Sequence, residues 1–323
     1  MSERRNVKDI MIGDRFNNDI FCLKEVKEMP DGSASVIFSD KTGEITGTIS
    51  PEKYLPLYKE WQNNATKVTG VATDTAGMKA QILVRGLALA EASEYNANEL
   101  FIGLSKDTVD EYVGMIQKTI GYVKHPGFHS LLNVALDDIS LQKLATLPAT
   151  LNRFGRYAGG ALAEAAIVSD MCLRACLSYV NHGNGLYSAG IDWSLLLTGA
   201  LLSSYGNIRY LTDMPWKRTP AGVQRGYMSM LQSSIENLVI IHNIELDELD
   251  ISRLLNILAA SVSFKTEVKS TGKEGIALRH IMHVYQEMDM LDCGVEEYKE
   301  ENTEEEREPY FYNRAIRSFV SVV

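Results

Sequence analysis

Apolar and polar residues alternate in short runs over the first third of the chain and recur at intervals of three and four from Ser105 onward. In "ASVIFSD" (34–40) and "EITGTIS" (44–50), Val36, Phe38, Ile45 and Ile49 fall on one face. Ser35, Ile37, Ser39, Thr46 and Thr48 fall on the other. A period of two marks half-buried strands, and the turn signals "PDGS" and "DKTG" make these segments antiparallel neighbours. "DIFCLKEVKEM", "TKVTGVATD" and "KAQILVRGLALAE" supply three more strands, with "TAGM" as a hairpin turn and "PEKYLPLYKEW" as a short helical connection. Three strands, a connector and two strands is the order of an OB-fold, a small Greek-key barrel.

In "DTVDEYVGMIQKTIGYV" (107–123), Val109, Tyr112, Val113, Ile116, Ile120 and Val123 form a single helical stripe, and "TVDE" fits a capping box. Similar stripes over about 131–146, 160–181, 193–204, 222–241, 246–262 and 274–291 predict further helices. Gly, Pro and Asn punctuate the gaps, and no repeat of fixed period suggests a solenoid. The expected fold class is α+β: a five-stranded OB-fold barrel at 1–98, an all-α domain at 99–295, and an acidic linker with a C-terminal segment at 296–323.

Composition narrows the setting. A chain of 323 residues with 45% hydrophobic and 23% charged content suits a folded, non-membrane protein. No apolar run approaches the ~20 residues of a membrane span, and "MSERRNVKDI" lacks the apolar stretch of a signal peptide. Four scattered cysteines make no disulfide framework, so a cytoplasmic location is expected. Net charge is −10, and residues 296–308 hold eight Glu against Lys299 and Arg307. That balance argues against strong, sequence-blind nucleic-acid binding but leaves room for a local basic groove.

Few motifs point to chemistry directly. His280 and His283 are three apart on an expected helix, a spacing that lets two imidazoles share a metal, but two ligands do not make a site. Cys172 and Cys176 lie on an apolar stripe and read as core; His125 and His129 flank "PGF" in an expected loop. "GGALAEA" reads as a packing feature at a helix start. No phosphate-binding loop, dinucleotide fingerprint or nucleophile elbow is present.

The blocks "VIFSDKTGEITGTI", "GGALAEAA", "LLLTGALLSSYGNI", "TPAGVQRGYM", "LLNILAAS", "GKEGIALRHIMHVYQEMDML" and "YFYNRAIRSF" occur in an order that resembles the YhaM-type 3′–5′ exoribonucleases. Those proteins join an OB-fold to an HD-superfamily phosphohydrolase domain. The resemblance implies a metal site at Glu164, Ser203, Ser204, Tyr227, Ser261 and Met282, where the family has His, His, Asp, His, His and Asp. Asn207 stands where a Lys is common, and Ser50 where a Trp often follows the third strand. Serine and tyrosine hydroxyls are weak, neutral ligands at pH 7, and Glu164 alone cannot hold a catalytic cation. The resemblance therefore implies a catalytically silent relative with no metal and no cofactor.

A stripped metal pocket should not stay open and polar, because unpaired buried polar groups are costly. Tyr227 and Met282 are expected to fill part of it, and the Glu164 carboxylate to accept hydrogen bonds from Ser203 or Tyr227. Both serines are expected to bond back to carbonyls one turn earlier, making Ser204→Ala nearly neutral. On the barrel, the outward set lacks an aromatic for stacking bases, which leaves Lys24, Lys27, Lys41, Lys67, Lys79 and Arg85 as a basic track. The expected function is weak, salt-sensitive binding of single-stranded RNA or DNA, or of a protein partner, by a homo-oligomer. Two alternatives stand beside it: an assembly module that binds no nucleic acid, and a metal-dependent phosphodiesterase with unusual ligands.

Overall fold

A computed structural model of the protein describes residues 5–62, 64–74, 80–95, 100–101, 103–151, 153–182, 191–214, 216–261, 269–301, 310–313, 316 and 318–321. Two compact units emerge: Met1–Gly103 with Met214–Trp216, and Leu104–Asp213 with Lys217–Val323.

The first unit is a closed five-stranded barrel of OB-like strand order. Its strands are β1 (Arg15–Glu28), β2 (Ala34–Asp40), β3 (Gly43–Ile49), β4 (Asn64–Asp74) and β5 (Ala80–Leu89). β1 pairs antiparallel with both β2 and β4, β2 with β3, and β4 with β5; β3 and β5 close the barrel through a short parallel ladder. A 3-10 turn, Pro56–Trp61, makes the connection ahead of β4. The alternation read from the sequence holds along β2, where Ala34, Val36, Phe38 and Asp40 are buried and Ser35, Ile37 and Ser39 half-buried. Phe21, Phe38, Leu23, Ile49 and Ile82 fill the barrel. Each such side chain contributes about 1.5–3 kcal/mol relative to exposure. The buried Asp40 carboxylate accepts from the Val7 and Thr42 N–H groups, tying the N-terminal segment to the barrel. The expected "TAGM" turn lies outside the described residues.

The second unit is helical. In chain order it contains α1 (Lys106–Ile120), α2 (Pro126–Ala135), α3 (Asp138–Leu144), α4 (Gly160–His182) and α5 (Trp193–Leu202). α6 (Asn207–Tyr210), α7 (Pro220–Ile241), α8 (Glu248–Ser261) and α9 (Lys273–Glu301) follow. A small hairpin, β6 (Tyr310–Asn313) with β7 (Ser318–Ser321), ends it. Ser105, Asp137, Asp192 and Thr219 cap helices by accepting a backbone N–H three residues on, the preferred N-cap chemistry.

Three expectations are corrected here. α1 starts one residue after Ser105, so "TVDE" lies within the helix and Ser105 is the cap. "PGF" opens α2, with Pro126 at its first position and His125 as its cap, rather than forming a loop. The expected helix over 131–146 is two helices, because Asp137 restarts the chain as α3. The acidic run begins within α9, which continues to Glu301; residues 302–309 lie outside the described residues.

α4 packs against α1, α5 and α9, and α5 also packs against α8 and α9. From Ala161 to Ala166 every residue of α4 is buried, as is every residue from Leu195 to Leu202 on α5. A helix apolar all round belongs inside a domain. Any polar side chain on these two helices is therefore held away from water and needs a partner. No helix among the described residues is long and apolar enough to cross a membrane.

Candidate functional site

Glu164 is the carboxylate that the burial of α4 isolates. It is 4% exposed, and both of its oxygens have donors. The Ser204 hydroxyl, just past the end of α5, donates to Oε2, and Gln286 Nε2 on α9 donates to Oε1 at 3.1 Å. Burial pushes the Glu164 carboxyl above its ordinary range, with those two hydrogen bonds opposing and the Asp289 charge adding to the rise. Asp289 accepts from the Gly155 N–H at 2.8 Å. Close by, Tyr157 is pushed up to about 12 by burial and then by Asp289, and Tyr285 is raised further by burial and then by Tyr157.

Ser203 and Ser204 have separated roles. The Ser203 hydroxyl bonds back to the Ala200 carbonyl at 2.8 Å, as expected of a helix-end serine. Ser204 instead turns towards α4. The expected donor to Glu164, Ser203 or Tyr227, is thus replaced by Ser204, because one residue is about 100° around a helix and only Ser204 faces α4. The Tyr227 hydroxyl donates to the Ser203 carbonyl, its ring lies against Gly206, and its edge meets the Tyr210 ring at 5.4 Å between centroids. Burial, then the Glu164 charge, pushes the Tyr227 hydroxyl well above its ordinary range.

These groups border a cavity of about 490 Å³. Glu164, Ser203, Tyr227 and Met282 all line it, as do Asn207 and Gln286. Asn207 Nδ2 donates to the Pro148 and Ala149 carbonyls, so the side chain at the expected Lys position ties the helix to a loop. Ser204 reaches the site through Glu164 rather than as a lining residue. Ser261 does not line the cavity; its hydroxyl bonds back to the Ile257 carbonyl on α8. Tyr227 and Met282 occupy its wall, yet substantial space remains, so the site is narrowed rather than filled.

Four further contributors were not among the residues expected from the sequence. Gln286 follows Met282 by one turn on α9, the spacing of one buried face. Arg153, Arg218 and Arg225 also line the cavity, and all three are exposed. No local pattern connects them. Arg218 comes close because Leu211 and Arg218 bridge, and its guanidinium carbon stands 6.0 Å from the Tyr210 ring centroid. Arg225 precedes a break in α7 at Gly226, whose φ of 74° and ψ of 165° are non-helical.

The remaining candidates are dispersed. His280 is exposed, and His283 is shifted down by burial despite Glu287 nearby. Cys172 and Cys176 are buried, the latter thiol pushed up to about 11 by burial alone. His125 Nε2 pairs with Asp250 at 3.2 Å, and His129 Nδ1 with Asn133 at 2.9 Å. The pair "GG" at 159–160 is a packing feature: a Cβ on Gly160 would overlap the Gly155 carbonyl oxygen. Among the described residues, no three His, Cys, Asp or Glu side chains gather as a metal site requires.

On the barrel, the expected basic track is partly neutralised. Lys24 pairs with Glu44, and Lys67 with Glu94 at 2.6 Å. Lys27, Lys41 and Arg85 are exposed. Lys79 lies outside the described residues. Lys24 and Arg85 each sit at a register shift, in β1 and β5, where a bulge re-aims the side chain. Tyr54 and Trp61, both half-buried, pack on the barrel core beside the buried Tyr58.

No protein-family model matches this chain, and no curated protein matches it significantly.

Proposed function

We propose that the protein is a binding protein related to the YhaM-type exoribonucleases, with an HD-type helical unit that does not hydrolyse phosphodiesters. What supports the relationship is convergence: Glu164, Ser203, Tyr227 and Met282, chosen from sequence blocks alone, line one cavity. The chemistry of those groups carries the functional half. The Glu164 oxygens are both taken up by donors, and the flanking positions offer hydroxyls and a thioether in place of imidazoles. A hydrolytic cation needs several anionic or imidazole ligands to hold it and to acidify its water.

The barrel is the part proposed to contact single-stranded nucleic acid. Lys41 and Arg85 would carry that contact through phosphates, without base stacking, so binding is modest and falls steeply with salt. The test pairs an RNA-shortening assay, with Mn²⁺ or Mg²⁺ and labelled single-stranded RNA, with an oligonucleotide titration across salt. No shortening is expected, and charge reversal at Lys41 and Arg85 should weaken binding equally for all sequences. Shortening abolished by Glu164→Ala would overturn the non-hydrolytic reading and support the phosphodiesterase with unusual ligands.

A second reading, a protein–protein assembly module, is favoured by the ion pairs Lys24–Glu44 and Lys67–Glu94, which remove two charges from the track. It predicts no oligonucleotide binding even at low salt, and a defined oligomer by light scattering.

A further inference from the structure

One face of α9 is buried, and another is open to solvent. Leu278, Met282, Tyr285 and Gln286 are buried, and the helix packs on α4, α5 and α8. Ile276, Val284 and Met288 are 48, 51 and 56% exposed, and Lys273, His280 and Glu287 are exposed on the same helix. At about 100° per residue, Lys273, Ile276, His280, Val284 and Glu287 fall within ~40° of one line along α9. Aliphatic side chains placed in this way gain from a second surface that removes them from water.

That line is symmetric about His280. An aliphatic residue stands four places to either side, with a lysine three places before Ile276 and a glutamate three places after Val284. We propose that this face of α9 is a self-association surface, on which two copies of the chain pair antiparallel about a two-fold axis at His280. Lys273 then lies level with Glu287 of the second copy, Ile276 with its Val284, and His280 with its own counterpart. A two-fold interface uses the same patch on both subunits, so each of these contacts is made twice. Laid parallel, the helices would set lysine against lysine and glutamate against glutamate, a repulsive arrangement. The ion pairs fix direction and register more than strength. A line of ~21 Å on a single helix covers less than the ~800 Å² per partner of a stable complex, so the pair should dissociate on dilution. This goes beyond both readings above by naming the surface. It rests on the helical unit alone, so oligonucleotide binding by the barrel, or its absence, leaves it standing.

Sedimentation equilibrium of the full chain, without nucleic acid and from low micromolar to near millimolar concentration, tests it. A monomer–dimer equilibrium is expected. Val284→Asp should weaken dimerisation at least tenfold, as should Lys273→Glu and Glu287→Lys separately. The double variant Lys273→Glu/Glu287→Lys should return to near wild-type affinity, because its exchanged charges meet again across the axis. All three positions are exposed, and circular dichroism with thermal melting confirms that the variants fold. A wild type that stays monomeric throughout would overturn self-pairing and leave the face to another protein. An oligomer unaffected by Val284→Asp would place the interface elsewhere and also overturn the proposal. A double variant as weak as the single ones would refute the antiparallel register.

Discussion

The Ser204 hydroxyl donates to the buried carboxylate of Glu164, joining the end of α5 to the second turn of α4 across 40 residues of sequence. Gln286 makes the matching contact from α9, so three helices meet at one carboxylate. Removing Ser204 would leave an acceptor oxygen buried without its donor. Ser204→Ala should therefore cost about 1–3 kcal/mol, against about 0.5–1.5 kcal/mol for Ser203→Ala, whose bond is local. Urea unfolding of both variants checks the order, and equal losses would refute the distinction.

Glu164 should also leave a signature in pH. Its folded-state value lies above the ordinary 4.5, chiefly through burial. A carboxyl raised in this way binds its proton more tightly when folded, so the folded state holds more protons than the unfolded one between the two values. Stability from this group is then greatest below about pH 4.5 and falls as pH rises towards the folded value. The stability of the wild type relative to Glu164→Gln should decline across that window and level off above it. A difference that does not change with pH would mean that Glu164 ionises freely.

Tyr227 combines a hydrogen bond with ring packing, and two substitutions separate them. Tyr227→Phe removes only the bond to the Ser203 carbonyl and should cost about 1 kcal/mol. Tyr227→Ala also removes the ring from Gly206 and Tyr210, and a loss on the order of 3 kcal/mol or more is expected. Should the two variants melt at the same temperature, the ring contributes nothing.

Glycine substitutions discriminate strain from contact. At Gly226 an added Cβ meets nothing within 4 Å, yet the backbone there is one that side chains avoid. Gly226→Ala should cost about 1–3 kcal/mol through conformation alone. Gly114 lies inside α1 with equally open space and no positive φ, so Gly114→Ala should stabilise by about 0.5–1 kcal/mol. Opposite signs in paired thermal melts are the expected result.

Thiol labelling reports on burial in both units. Burial pushes the Cys22 thiol up to about 12 and raises Cys172 further, while Cys293 is half-buried. Reagent should modify Cys293 in the native protein and reach Cys22, Cys172 and Cys176 only on unfolding, because the thiolate is the reactive form. Mass spectrometry of briefly labelled protein distinguishes these outcomes. Rapid native labelling of Cys172 would contradict the burial of α4.

Local pattern determined most of the architecture by itself. Alternation in "ASVIFSD" and "EITGTIS" settles which side chains enter the barrel, because successive residues of a strand must face opposite ways. The stripe from Val109 to Ile120 likewise commits α1 to one buried face. The polar partners were beyond such patterns. Ser203 and Ser204 are equivalent in sequence, and only the angle at which α5 meets α4 decides which hydroxyl reaches Glu164. Lys24 and Lys67 read as free cations until strand pairing and the turn at Glu94 brought carboxylates to them. The guanidinium rim drew Arg153, Arg218 and Arg225 from separate loops and a helix break, with no shared period to announce it. Side-chain direction within one element is set by neighbours in the chain. Contacts between elements depend on packing angles and loop paths that no short window contains.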